Sequence, residues 1–194
     1  MDEKEITVRL KWELDEAKVY FVNAGIPLVE SFIMKDIYLV KEGIDIHKTP
    51  NLDVLDSCVI IRECIGSEHN KQLIYKDKKY DELGNIIKST KYSCDLVDID
   101  ETYELLTHIG FKECFRYEQE CLAYANKEVD VLLQYVPELG LFAELENNNK
   151  SISELVADLN SLNIPYYEND YFVKKASLML DDVRKYGRWD NGRE

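Results

Sequence analysis

Glu5-Ile6-Thr7-Val8-Arg9-Leu10-Lys11 and Gly140-Leu141-Phe142-Ala143-Glu144-Leu145-Glu146 decide how this chain folds. Both stretches alternate with period two, the signature of half-buried strands. In the first, Ile6, Val8, Leu10 and Trp12 share one face, and Glu5, Thr7, Arg9 and Lys11 share the other. In the second, Glu144 and Glu146 lie opposite Ala143 and Leu145. On the inward side of a curved sheet these charged faces would form a site for a metal and a polyphosphate. On the outward side they would be ordinary wet surface.

Working outward, a helix is expected from about Leu14 to Ala24, with Gly25 as its stop. Val29 to Val40 and Ile44 to Lys48 read as strands joined at Glu42-Gly43. Ser57 to Cys64 and Lys71 to Lys76 form a hairpin around Gly66 to Asn70, and Ile86 to Val97 is a further strand. Asp98 or Asp100 caps a helix ending before Gly110. Phe111 to Ala125 pairs with Glu128 to Val136, and the Pro137 to Gly140 turn leads into the last strand. Ser151 with Glu154 makes a capping box for a helix through Leu162, and Asp170 to Tyr186 reads as a final helix. About eight strands in antiparallel hairpins predict an α+β fold: an eight-stranded antiparallel barrel or tunnel with helices packed outside. One domain is expected over residues 1–187, with a frayed tail over 188–194.

The 194 residues can bury a sizeable core, and their net charge is −14. That charge argues against a nucleic-acid or anionic-membrane partner, since both need a basic footprint. No apolar run approaches the ~20 residues of a membrane span. Cys58, Cys64, Cys94, Cys114 and Cys121 are odd in number and form no C-x-x-C, so they read as free thiols in a reducing cytoplasm. His47, His69 and His108 are scattered, which argues against zinc.

From Glu5 to Glu146 the chain resembles the CYTH superfamily, the triphosphate tunnel proteins that include class IV adenylate cyclases and thiamine triphosphatases. The family opens with Glu-x-Glu-x-Lys, and here Glu5-Ile6-Thr7-Val8-Arg9 stands. Asp36-Ile37-Tyr38 looks like its Asp-Thr-Tyr segment, and Ile60-Ile61-Arg62 like its Arg-x-Arg strand. Leu73 to Lys76 resembles Leu-Thr-x-Lys, and Lys91 to Asp95 resembles Arg-x-Glu-x-Glu. The closing Leu-Gly-x-Phe-x-Glu-x-Glu is intact as Leu139 to Glu146. The pattern is thinned: Thr7 and Ser93 replace Glu, Ile60 replaces Arg, Gln119 and Cys121 replace a basic pair, and Gln134 replaces Asp.

The resemblance implies that Glu5, Glu144 and Glu146 hold Mg²⁺ or Mn²⁺. It implies that Arg9, Lys11, Arg62, Lys76 and Lys91 hold the phosphates of a triphosphate or nucleotide. Hard oxygen ligands suit such a cation, Arg offers a bidentate fork, and Lys offers a point charge. Two functions follow. One is a metal-dependent adenylate cyclase-like or triphosphatase-like enzyme. The other is a non-catalytic anion- or nucleotide-binding module with a degenerate tunnel. No catalytic residue is singled out, and the oligomeric state, a homodimer included, stays open.

Overall fold

The computed structural model describes residues 4–80, 86–127, 129–137, 139–147, 149–167, 171 and 173–186, with side chains outside 79–80 and 86–89. The tail expected over 188–194 lies outside the described residues. The strands are β1 (Glu5–Arg9), β2 (Leu28–Lys41), β3 (Val59–Ile65), β4 (His69–Tyr80), β5 (Ile86–Asp95), β6 (Phe111–Ala125), β7 (Asp130–Val136) and β8 (Gly140–Glu146). The helices are α1 (Leu14–Asn23), α2 (Asn51–Asp56), α3 (Ile99–His108), α4 (Ile152–Ser161) and α5 (Lys175–Tyr186).

All eight strands form one antiparallel sheet in the order β1-β8-β7-β6-β2-β3-β4-β5. The α+β class and strand count are as the alternation predicts, but the sheet is not closed into a barrel. β1 and β5 remain edges because the outer edge of β1 is already occupied. Thr7 N donates to Tyr171 O at 2.9 Å, Val173 N to Thr7 O at 3.1 Å, and Tyr167 N to Arg9 O at 3.0 Å. Lys11 N adds a bond to Pro165 O at 2.9 Å. Pro165, Tyr167, Tyr171 and Val173, which together act as a strap on β1, thus satisfy backbone groups that a closing strand would have taken. The helix start expected at Asp170 lies outside the described residues; Tyr171 and Val173 bond to β1, and α5 begins at Lys175.

The sheet has two differently dressed faces. On one, Ile6, Val8, Leu10 and Leu145 pack with Phe21 of α1 and Leu155 and Leu159 of α4, as alternation requires. Phe21 is fully buried and stacks on Tyr124 at 4.6 Å; such burial is worth about 1.5–3 kcal/mol. Leu106 of α3 covers Leu39 and Ile61 on the same face. On the other face each central strand changes character along its length. Phe142, Val136, Phe115, Tyr38, Ile60 and Ile74 meet Met179, Leu180 and Val183 of α5 and Val54 of α2. Beyond that apolar half the same face turns polar.

Local chemistry sets the helix starts. Asp98 accepts from Glu101 N at 2.9 Å, and Ser151 with Glu154 forms the expected capping box. Gly25 ends α1 with φ +71°, where a side chain would be strained. The strand expected over Ile44 to Lys48 is instead a turn. The Asp45 carboxylate accepts from His47 N at 3.0 Å and pairs with Lys48 at 2.8 Å, so local bonds replace a ladder.

Candidate anion and cation site

The polar half of the second face bounds a cavity of about 270 Å³. It is walled by β1, β8, β7, β6, β2, β3 and β4, with Lys174 and Lys175 at the head of α5. Its basic lining is Arg62, Lys76, Lys78, Lys174 and Lys175, and its acidic lining is Glu5 and Glu144.

Arg62 stands directly across the β2–β3 ladder from Asp36. Its Nε and Nη2 donate to the two Asp36 carboxylate oxygens at 2.7 and 2.6 Å. The Asp36 side chain is fully buried, while that of Arg62 keeps 21% exposure, which leaves room for a ligand. Burial alone would lower the guanidinium pKa, but the Asp36 charge and hydrogen bonds hold it well above its usual value. Tyr38 and Tyr117 complete this wall, and burial pushes both hydroxyls above the ordinary tyrosine range. Lys78 and Lys175 are pulled below the ordinary lysine value, chiefly by burial. The neighbouring Glu144 carboxylate works against that shift at Lys175. Lys175 Nζ lies 3.8 Å from Glu144 Oε2 and also donates to Gln134 Oε1.

β1 and β8 bring the carboxylates together. Glu5 faces Glu146 in the ladder, and Thr7 faces Glu144. One oxygen from each of Glu5, Glu144 and Glu146 lies within 4.8 Å of the others. Cation–oxygen bonds of about 2.1–2.5 Å span ~4–5 Å across a coordination sphere, so the trio fits one hard divalent cation. Glu146 sits at the exposed rim of the cluster.

The neutral wall is also informative. Gln119 is 2% exposed, and its Nε2 meets Met34 Sδ at 3.0 Å. Its Oε1 is the sole buried side-chain polar atom without a partner among the described residues. A sulfur accepts weakly but repels an oxygen, so the amide nitrogen belongs on Met34.

Of the residues singled out in the sequence, Glu5, Arg62, Lys76 and Glu144 line the cavity, and Glu146 joins the carboxylate cluster. Arg9 and Lys11 do not line it. Arg9 closes β1 beside Gly140, and Lys11 lies beyond the strand end, where alternation no longer governs. Both instead approach the Tyr167 ring, at 5.7 and 5.6 Å from its centroid. Lys91 pairs with Lys76 in the ladder but on edge strand β5, outside the lining. Sequence reasoning missed Lys78, Lys174 and Lys175. Lys78 could have been found from its i, i+2 relation to Lys76; Lys174 and Lys175 carry no such signal. A larger cleft of about 500 Å³ lies beside Ile37, Ile61 and Arg116. Of its lining charges, Lys35 pairs with Glu118 at 3.5 Å, and Arg116 pairs with Glu113 outside the lining.

No protein-family model matches the chain, and no curated protein matches it with significance. Solved structures do. A protein of Pyrococcus horikoshii OT3, PH1819, is 25% identical, with 92% of this chain and 99% of that one covered at a TM-score of 0.66. A candidate adenylate cyclase of Vibrio parahaemolyticus is 16% identical, with 92% and 98% covered at 0.64. The candidate adenylyl cyclase HpAC1 of Hippeastrum, with a dominant triphosphatase activity, is 15% identical, with 96% of each chain covered at 0.59. These likenesses show a shared fold.

Proposed function

We propose that the cavity binds a triphosphate-containing anion. The observation that carries this reading is the convergence of Arg62, Lys76, Lys78, Lys174 and Lys175 on one space in a chain of net charge −14. Bases gathered in a confined, poorly solvated space repel one another, and a polyanion relieves that repulsion. Asp36 holds Arg62 through Nε and Nη2, which leaves Nη1 to donate to a phosphate oxygen. The lysines add mobile point charges around it. Glu5, Glu144 and Glu146 would hold Mg²⁺ or Mn²⁺, which when bound neutralises phosphate charge and polarises a phosphorus–oxygen bond.

The carboxylate trio favours phosphorus transfer, by water attack or by cyclisation of a nucleotide. The neutral Thr7, Gln119 and Gln134 favour the second reading, a module that binds the anion without turning it over. Titration with tripolyphosphate, with and without Mg²⁺, should raise the melting temperature. Turnover of ATP and tripolyphosphate with metal, abolished by Glu144→Gln, then selects the enzyme. No thermal shift across a millimolar titration overturns the binding assignment.

A further inference from the structure

The head of α5 places an ammonium where the carboxylate cluster would otherwise call for a metal. Lys175 Nζ reaches both Glu144 and Gln134, and its side chain is only 11% exposed. The position is fixed from both directions. Upstream, both backbone groups of Thr7 are bonded: its N–H donates to Tyr171 O, and its C=O accepts from Val173 N. Downstream, Met179, Leu180 and Val183 anchor α5 in the apolar half of the same face. Thr7 stands opposite Glu144 in the ladder, so this row of the wall offers one carboxylate and one ammonium to match it.

Resting on the reading of the cavity as a polyphosphate site, we infer that Lys175 is a tethered counter-cation that competes with divalent metal for Glu144 and lends its charge to the anion. The cavity then holds a polyphosphate without metal, and binds the metal weakly without the lysine's removal. A dication brought to Glu144 would meet an ammonium a few ångströms away. That repulsion weakens metal binding, whereas the same ammonium strengthens the hold on phosphate oxygens.

The test uses the full chain and two probes: Mn²⁺ alone, followed by the paramagnetic resonance of the free ion, and tripolyphosphate in excess chelator, followed by calorimetry. Lys175→Met should bind Mn²⁺ at least about tenfold more tightly and tripolyphosphate at least about tenfold more weakly, as loss of one near charge requires. Lys175→Arg keeps the charge and should keep both affinities near the wild type. Opposite signs for the two probes are the signature, since a merely structural lysine would weaken both on removal. Lys175→Gln, which retains a donor for Gln134, provides a second variant should the Met form unfold. Mn²⁺ affinity unchanged or weakened in a folded, charge-free variant overturns the inference. If the wild type binds no tripolyphosphate, the polyphosphate reading fails, yet the Mn²⁺ arm still decides whether Lys175 guards Glu144.

Discussion

Asp36→Asn separates the two jobs of the Asp36–Arg62 pair. The substitution leaves one acceptor oxygen in nearly the same place but removes the charge. Arg62 would then be a cation enclosed by the sheet with half its hydrogen bonding and no counter-charge. Breaking a buried pair costs about 3–5 kcal/mol. Arg62 retains 21% side-chain exposure to the cavity, so water softens the loss and about 3 kcal/mol is the better figure. In a chain of this length, each kcal/mol moves the midpoint by about 2–4 °C. The melting temperature should therefore fall by about 6–12 °C, measured by circular dichroism. The guanidinium gains one donor for a ligand, a charge-assisted bond being worth about 1.5–3 kcal/mol. Tripolyphosphate should bind about tenfold or more tightly, and saturating anion should restore more of the lost midpoint than it adds to the wild type. An unchanged midpoint, or weaker binding despite an intact fold, would refute the view that Asp36 restrains Arg62 at a ligand-facing site.

Gln119→Leu removes the unpartnered Oε1 and the weak bond to Met34 while nearly keeping volume; stability should rise by about 1 kcal/mol, and a fall in the denaturant midpoint would show that the carbonyl is well satisfied. Alkaline pH should unfold the chain, because burial pushes the Tyr38 and Tyr117 hydroxyls upward and the Cys121 thiol from 9.0 up to about 12. The unfolded chain releases these protons first, so their contribution is complete below about pH 9 and declines by about 1.4 kcal/mol per pH unit and group until the folded pKa is reached. The depressed Lys78 and Lys175 act with the opposite sign, gaining stability as pH rises toward 10.5, but they are outnumbered. Tyrosinate absorbance followed beside circular dichroism should show two of the 13 tyrosines ionising only as the fold is lost; full ionisation of an intact fold would contradict this.

The alternation of Ile6, Val8 and Leu10 against Glu5 and Thr7 was enough to orient β1, because a strand with one apolar face has one register. The same rule oriented Glu144 against Leu145. It failed at Arg9 and Lys11, where the strand stops and the apolar cluster under α5 begins. Alternation says which face a residue takes but not how far along that face the cavity extends. Asp36 and Arg62 were read one by one from motifs. Their union is a matter of register between strands joined through α2, which no local pattern reveals. Lys174 and Lys175 were hidden for a different reason: their stretch satisfies helix propensity, and only tertiary pairing of the strap with β1 places them at a helix start facing the cavity. The Ile44 to Lys48 segment looked extended from its spacing, but the Asp45 carboxylate captured its backbone.

The partnerships of β1 carry a consequence for biosynthesis. Among the strands of the sheet β1 is made first, yet its ladder partner is β8, and its other edge waits for Pro165, Tyr167, Tyr171 and Val173. Until β8 and α4 have emerged, Ile6, Val8 and Leu10 have only α1 as cover and no ladder partner. Such long-range pairing is slow to form and leaves a sticky edge open meanwhile. The nascent protein should therefore lean on chaperones early, and C-terminal truncations that remove the strap should aggregate even though they spare every strand of the sheet.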